Sequence, residues 1–409
     1  MATRLTSTTT RLGAAPDLPG MIPPAGATAW ISTATSLIGF GRVARLGPLG
    51  GRRRFQTLSE RLMELFGEAA VVDEVDVPGS GPVAFGSFTF DENDPDSVLV
   101  VPEIVYGVSE GISWKTQMAL DPARDGLLGT EAPLRRPESR GNQDGVAQWS
   151  RAFHDAYEMV AQGNLEKIVL ARRMTLELDA QPDAGALVRG LAAAYPGCFT
   201  FAFEDLVGAS PELLVRRLAD VVESMPIAGS APRSSDVAED ELLGAGLIAS
   251  AKNRAEHEIT KQDVMSKLSG FCYQMEVEAS PSLMLLHNLQ HLSTKVQGRL
   301  KGAWNALELA GALHPTAAVC GKPEAEALQT IRSVEGFSRG RYAGPVGWMD
   351  HRGDGEWAIA LRCAQLAGCS ANLFAGAGIL RDSTEESEFD ETEIKFRAML
   401  SALEGGRSG

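Results

Sequence analysis

Cysteine is scarce and badly placed for cross-linking. The five thiols, Cys198, Cys272, Cys320, Cys363 and Cys369, are odd in number, widely spaced and form no CxxC pair. This excludes a disulfide framework and fits reduced thiols in a cytoplasmic protein. No apolar run approaches the ~20 residues that span a bilayer. The opening stretch MATRLTSTTTRLGAAPDLPG lacks the apolar segment of a secretory signal. Its Thr, Pro, Gly and Ala content predicts a disordered leader over residues 1–28. Positive charge is in deficit: 38 Lys and Arg against 53 Asp and Glu leave a net charge of −15. That balance argues against nucleic acid or an anionic membrane as partner. An anionic substrate would then need a metal or a few placed cations. Internal repeats and long low-complexity linkers are also missing.

An apolar content of 44% with 22% charged residues is that of an ordinary globular protein. Residues 29–145 carry strand-like runs, PVAFGSFTF (82–90) and SVLVVPEIVYG (97–107), and then a charged Gly/Pro-rich surface loop over 123–145. Helices are predicted over 146–162, 184–194, 237–275, 304–313, 323–335 and 384–404, the last opened by a capping box at Ser383 and Glu386. Strands are predicted at KIVLARRMTLEL, CFTFAF, ELLVRRLADVVES, HLSTKVQGRL, YAGPVGWMD, EWAIALRCAQL and ANLFAGAGI. Runs of strands with interspersed helices predict α+β with largely antiparallel sheets. Residues 146–404 are expected to form the catalytic core and 405–409 a flexible tail.

Several residues could carry chemistry. Lys167 opens a strand, where a lysine ordinarily snorkels to water. Glu212 follows Pro211 into another strand. A carboxyl in a dry pocket becomes a usable general acid, and a desolvated amine a usable base. Glu388 and Glu391 are i,i+3 on the last helix, with Lys395 four residues on. A second acidic helix offers Glu256 beside His257. Two helices each giving a carboxylate could hold Mg²⁺, a hard cation that prefers oxygen ligands. His257 reads as a packing group. The pair His287 and His291 has helical spacing but no HExxH glutamate, so both read as structural. Arg362, amid apolar strand residues, needs an anionic partner. Gly376-Ala377-Gly378 could present backbone N–H groups to a carboxylate.

Taken in order, EKIVLAR, GASPELL, MPIAGSAPR, KNRAEHE, LQHLSTKVQG, LHPTAAVCGKP, RGRYAGPVGW, ALRCAQL, LFAGAGI and DSTEESEFDETEIK resemble the chorismate-utilising enzymes, and among them the isochorismate synthases. The resemblance covers about residues 145–404. It implies one large domain with two antiparallel sheets flanked by helices. It also implies chorismate as substrate, Mg²⁺ as cofactor and a monomeric protein. Lys167 would be the base that activates water for attack at C2, and Glu212 the acid that protonates the departing 4-hydroxyl. Glu256 and Glu391 would hold Mg²⁺, with Glu388 in support. Ala228, Gly229, His314, Thr316, Tyr342, Arg362, Gly376, Ala377, Gly378 and Lys395 would bind the substrate. Lys167 together with Ala228 fits water rather than ammonia as nucleophile. One departure is Asn253, three residues before Glu256, where relatives usually carry an acid. The resemblance leaves a salicylate synthase and a non-catalytic dicarboxylate binder as alternatives to the isochorismate synthase.

Overall fold

A computed structural model describes residues 4–120 and 145–405 of the chain. The architecture is α+β, as the element order predicts. A twelve-stranded sheet runs from the short strand Gly321–Lys322 through Lys167–Glu177 and Ser370–Ile379 to Leu5–Arg11 and Ala70–Asp73. A nine-stranded sheet runs from Cys272–Val277 to Ala44–Leu49. A third sheet has Leu289–Ser293 between Ile227–Pro232 and Ser282–Leu285. Among the described residues every pairing is antiparallel except that of Leu5–Arg11 with Ala70–Asp73.

The two large sheets share one core. Trp30, Trp114 and Phe201 reach into it from one sheet, and Phe85, Trp348 and Trp357 from the other. A second apolar cluster lies where the helices Ala184–Ala194 and Glu385–Gly405 pack on the twelve-stranded sheet, through Leu187, Leu191, Phe396 and Met399 against Val207, Leu373 and Ala375. No helix among the described residues is long and apolar enough to cross a membrane.

Several expectations need correction. Residues 5–11 of the expected leader form a strand between Ile112–Leu120 and Ala70–Asp73, with Leu5, Ser7 and Thr9 turned inward. The threonines that suggested disorder are β-branched and favour a strand once a sheet edge is available. The helix expected over 237–275 is two helices, Val237–Ala249 and Ala251–Ser269, parted at Ser250, whose hydroxyl caps the second. Ser383 does not form the expected capping box. Thr384 accepts from the Ser387 N–H instead, while the Ser383 hydroxyl accepts from the Leu380 N–H at 3.0 Å. The loop expected over 123–145 lies outside the described residues, save Gly145, which begins the helix Gly145–Ala161. Of the expected tail, Gly405 ends the last helix and residues 406–409 lie outside the described residues.

Three of the expected strands are also broken, and these breaks, with two further changes of sheet, position the site. ELLVRRLADVVES is a hairpin, Leu213–Leu218 with Val221–Met225. EWAIALRCAQL leaves the nine-stranded sheet after Gly355–Ile359 and joins the twelve-stranded sheet as Cys363–Ala367. The chain also changes sheet between Leu206–Ser210 and Leu213–Leu218, and between Val221–Met225 and Ile227–Pro232. HLSTKVQGRL divides likewise at Thr294. Leu206–Ser210, Gly355–Ile359 and Leu289–Ser293 are buried on both faces, so no polar alternation marks the change of sheet where they end.

Candidate active site

The sheet changes meet around one cleft, bounded also by the helices Ala251–Ser269 and Glu385–Gly405. Glu212 sits at one change and Arg362 at another. They are tied together because the Ile359 N–H donates to the Glu212 carbonyl at 3.2 Å. Arg362 has φ of 47°, a left-handed backbone directly before the strand Cys363–Ala367, and its side chain lines the cleft. It is therefore not the mid-strand arginine of the sequence reading.

Lys167 is 1% exposed. Its Nζ lies 3.1 Å from Glu256 Oε1 and 3.1 Å from Thr260 Oγ1. Glu256, Thr260, Asp263 and Lys267 follow at helical spacing, so the inward face of the helix Ala251–Ser269 is polar. Asp263 anchors the loop before Gly321–Lys322 by accepting from the Ala317 N–H at 3.0 Å and from Lys322 at 3.1 Å. The strand Gly321–Lys322 in turn pairs with Lys167 and Ile168.

Glu212 is fully buried, and burial pushes its carboxyl up to about 8 despite the nearby charges of Lys167 and Arg362. At neutral pH it is therefore a carboxylic acid with a proton to give. The three other carboxylates each hold an ammonium: Glu256 holds Lys167, Glu388 holds Lys252 at 2.5 Å, and Glu391 holds Lys395 at 2.5 Å. Burial and then Glu391 raise the Glu388 carboxyl. Burial opposes ionisation of Glu391 too, but Lys395 holds its carboxyl below the ordinary range. With Glu212 neutral, four cations (Lys167, Lys252, Lys395 and Arg362) face three carboxylates. A protein of strongly negative net charge thus builds a positive cleft, as an anionic ligand requires.

The other candidates divide. Gly376 and Gly378 face the cleft, and Tyr342 lines an adjoining pocket that shares Arg362, Gly376 and Lys395 with it, while stacking on Phe374 at 5.0 Å. Lys395 donates to the Gly376 carbonyl at 2.8 Å. Ala228 and Gly229 line the wall opposite. Gly229 has φ of +75° at a register shift, a position that suits glycine, and its carbonyl turns toward His291. Ala377 is a correction: strand alternation turns it away from the cleft, into the core with Ile168 and Leu170. His314 is another. Its Nε2 lies 3.0 Å from the Phe90 carbonyl and its ring packs beside Phe55 and Phe90, so it does not line the cleft. Thr316 is buried two residues before the cleft-lining Ala318, and its hydroxyl has no partner among the described residues. Asn253 bonds Ser250 Oγ at 3.0 Å.

His291 is the residue that sequence reasoning misplaced. It lies on a strand, so its helical spacing from His287 carries no meaning. Its Nε2 is 3.0 Å from Arg362 Nη2, and its Nδ1 is 3.1 Å from both the Gly229 carbonyl and Ser230 Oγ. Guanidinium only donates, so Nε2 accepts and Nδ1 carries the proton. Burial and Arg362 lower the imidazole to about 3, which keeps it neutral. Ser230 continues the chain by donating to Glu391 Oε1 at 3.2 Å. Arg362 is thereby fixed through His291 and Ser230 to the acidic helix. The signal that could have found His291 was the polar pattern of LQHLST within a strand.

Gly378 is required sterically. A Cβ there would collide with Glu256 Oε1 and stand 3.1 Å from Lys167 Cε. Gly378→Ala is expected to fold, because flexible side chains can yield. Turnover should fall roughly tenfold or more through displacement of the Lys167–Glu256 pair. Steady-state kinetics beside a melting curve checks this; unchanged turnover would show that the pair does not need its present position.

Buried opposing carboxylic acid and ammonium groups in a positive cleft define an enzyme of small anionic substrates. The sequence profile described as chorismate binding enzyme matches residues 28–404. The chain is 37% identical over 367 residues to isochorismate synthase DhbC of Bacillus subtilis, covering 86% of this chain and 87% of that one. It is 37% identical over 341 residues to the putative isochorismate synthase MenF of Mycobacterium tuberculosis, covering 80% and 87%. The crystal structure of the putative 2,3-dihydroxybenzoate-specific isochorismate synthase DhbC from Bacillus anthracis aligns with TM-score 0.79 and 30% identity, over 95% of this chain and 98% of that one. The chain belongs to the chorismate-binding enzyme family.

Proposed function

We propose that this protein is an isochorismate synthase, converting chorismate to isochorismate. The observation that carries the reading is the buried pair of opposed roles in one cleft: Glu212, a carboxylic acid at neutral pH, and the Lys167 side chain. Water attacks C2 of the ring and gives a proton to Lys167. The two ring double bonds shift, and the 4-hydroxyl leaves as water after taking the Glu212 proton. One water enters and one leaves, so the product is an isomer. The lysine needs a free lone pair to act, so its contact with Glu256 must loosen during the cycle. Arg362, held by His291, suits a substrate carboxylate, and Lys395 and Tyr342 border the same space. Ala228 leaves its wall of the cleft small and uncharged, which favours water over ammonia.

We further propose that Mg²⁺ serves this site. Among the described residues no three His, Cys, Asp or Glu side chains gather closely enough to hold a metal alone. The donor chemistry nevertheless fits. Glu256 and Glu391 line one cleft from two helices, Glu388 lies beside Glu391, and Mg²⁺ commonly takes one or two carboxylates with substrate and water. Bound there, Mg²⁺ would supply positive charge to the ring carboxylate as the double bonds move.

The test is product analysis. Purified protein is mixed with chorismate and MgCl₂, with an EDTA control, and the products are separated by chromatography. Isochorismate as the product, lost with EDTA, supports both proposals. Salicylate with pyruvate would replace the reading by a salicylate synthase, in which the same site goes on to eliminate pyruvate. No conversion by folded protein would leave a dicarboxylate binder.

A further inference from the structure

Three lysines neutralise the acidic side of the cleft, and they are not equivalent. Lys167 is buried against Glu256 and Thr260 beneath Gly378. Lys395 is committed twice, to Glu391 and to the Gly376 carbonyl. Lys252 differs. It stands in the first turn of the helix Ala251–Ser269, one turn before Glu256, and its side chain is 28% exposed. Its Nζ is 2.5 Å from Glu388, a carboxylate on the facing helix that is itself 1% exposed. Lys252 therefore bridges the two helices that carry the proposed metal carboxylates, and of the three lysines its side chain is the most open to solvent.

An ammonium in this position does what a bound cation would do: it relieves the repulsion between Glu388 and Glu391. Both charges cannot hold the same carboxylate geometry at once. We propose that Lys252 is the resident counter-ion of the proposed cation site, which a divalent cation must displace toward solvent in order to bind. This rests on the Mg²⁺ reading given above. The device would keep the acidic helices at their working separation without metal, and would weaken metal uptake by the substrate-free protein. Removing the ammonium leaves Glu388 without its cation beside Glu391, which keeps only Lys395, and this strengthens the attraction for Mg²⁺.

The direct test is calorimetric titration of MgCl₂ into the full-length, substrate-free protein. Lys252→Gln is expected to bind Mg²⁺ about tenfold more tightly than wild type, the worth of one charge-assisted hydrogen bond released. Lys252→Arg, which keeps the charge, is expected to restore the wild-type affinity. That rescue separates a counter-ion from a merely structural contact and guards against misfolding of the glutamine variant. Glu256→Gln serves as the control for the metal reading, and should abolish binding. If Glu256→Gln abolishes binding but Lys252→Gln binds no more tightly than wild type, the counter-ion proposal is wrong and the metal reading stands. If neither wild type nor any variant binds Mg²⁺, with or without chorismate, both fail together.

Discussion

Exchange of Lys167 for methionine is expected to lower kcat for chorismate roughly 10²–10⁴-fold, the usual worth of a positioned general base. Methionine fills nearly the same volume, so the strand Lys167–Glu177 and its pairing with Gly321–Lys322 should persist. Glu256 loses its partner, but it is 13% exposed and can turn to water. The stability cost is therefore modest, about 1–2 kcal/mol. Arg362 and Lys395 are untouched, so chorismate should still bind. Measured together, kcat by product formation and affinity by fluorescence or calorimetry should separate: turnover lost, binding kept. A variant within a few-fold of wild type in kcat would show that Lys167 only neutralises Glu256.

Glu212→Gln should be nearly as damaging, with a pH signature. The amide resembles the neutral acid in shape and cannot donate a proton to a leaving hydroxyl. A loss of roughly 10²–10⁴-fold in kcat is expected. In the wild type, activity should fall as pH rises through about 8, where the buried acid ionises. The residual rate of the glutamine variant should lack that limb. Stability gives an independent check. The folded carboxyl titrates at about 8 and the unfolded one near 4.5, so the folded state binds the extra proton between those values. The stabilisation from the protonated form is complete below 4.5 and is lost as pH rises towards about 8. The glutamine variant has no such loss. Its melting temperature relative to wild type should rise from pH 4.5 to pH 8 and then level off. A difference that stays flat over this range would show that Glu212 is ionised in the folded protein.

The electrostatics of the cleft explain why these two residues cannot be read as an isolated pair. Glu212 is kept neutral by exclusion of water, while Glu256, Glu388 and Glu391 are each held by an ammonium. One acidic residue type thus meets two kinds of surrounding within one pocket. What divides them is whether a lysine reaches the oxygen atoms.

By itself the sequence determined the class of fold, the strand that begins at Lys167, and the helical face that carries Glu388, Glu391 and Lys395. Each of these rests on local spacing, which is legible without tertiary information. The ordered motifs also pointed to the family. The tertiary structure alone decided the rest. It split EWAIALRCAQL between two sheets and placed Arg362 at the break, because a strand buried on both faces shows no change of pattern when it changes neighbours. It made LTSTTTR a strand, since only a distant edge, Ile112–Leu120, could pair with it. It moved His291 into the site and His314 and Ala377 out of it, because sequence distance does not state which face of a strand or loop meets the cleft. It also gave each carboxylate its ammonium, a matching fixed by packing of two helices against two sheets and written in no local run of residues.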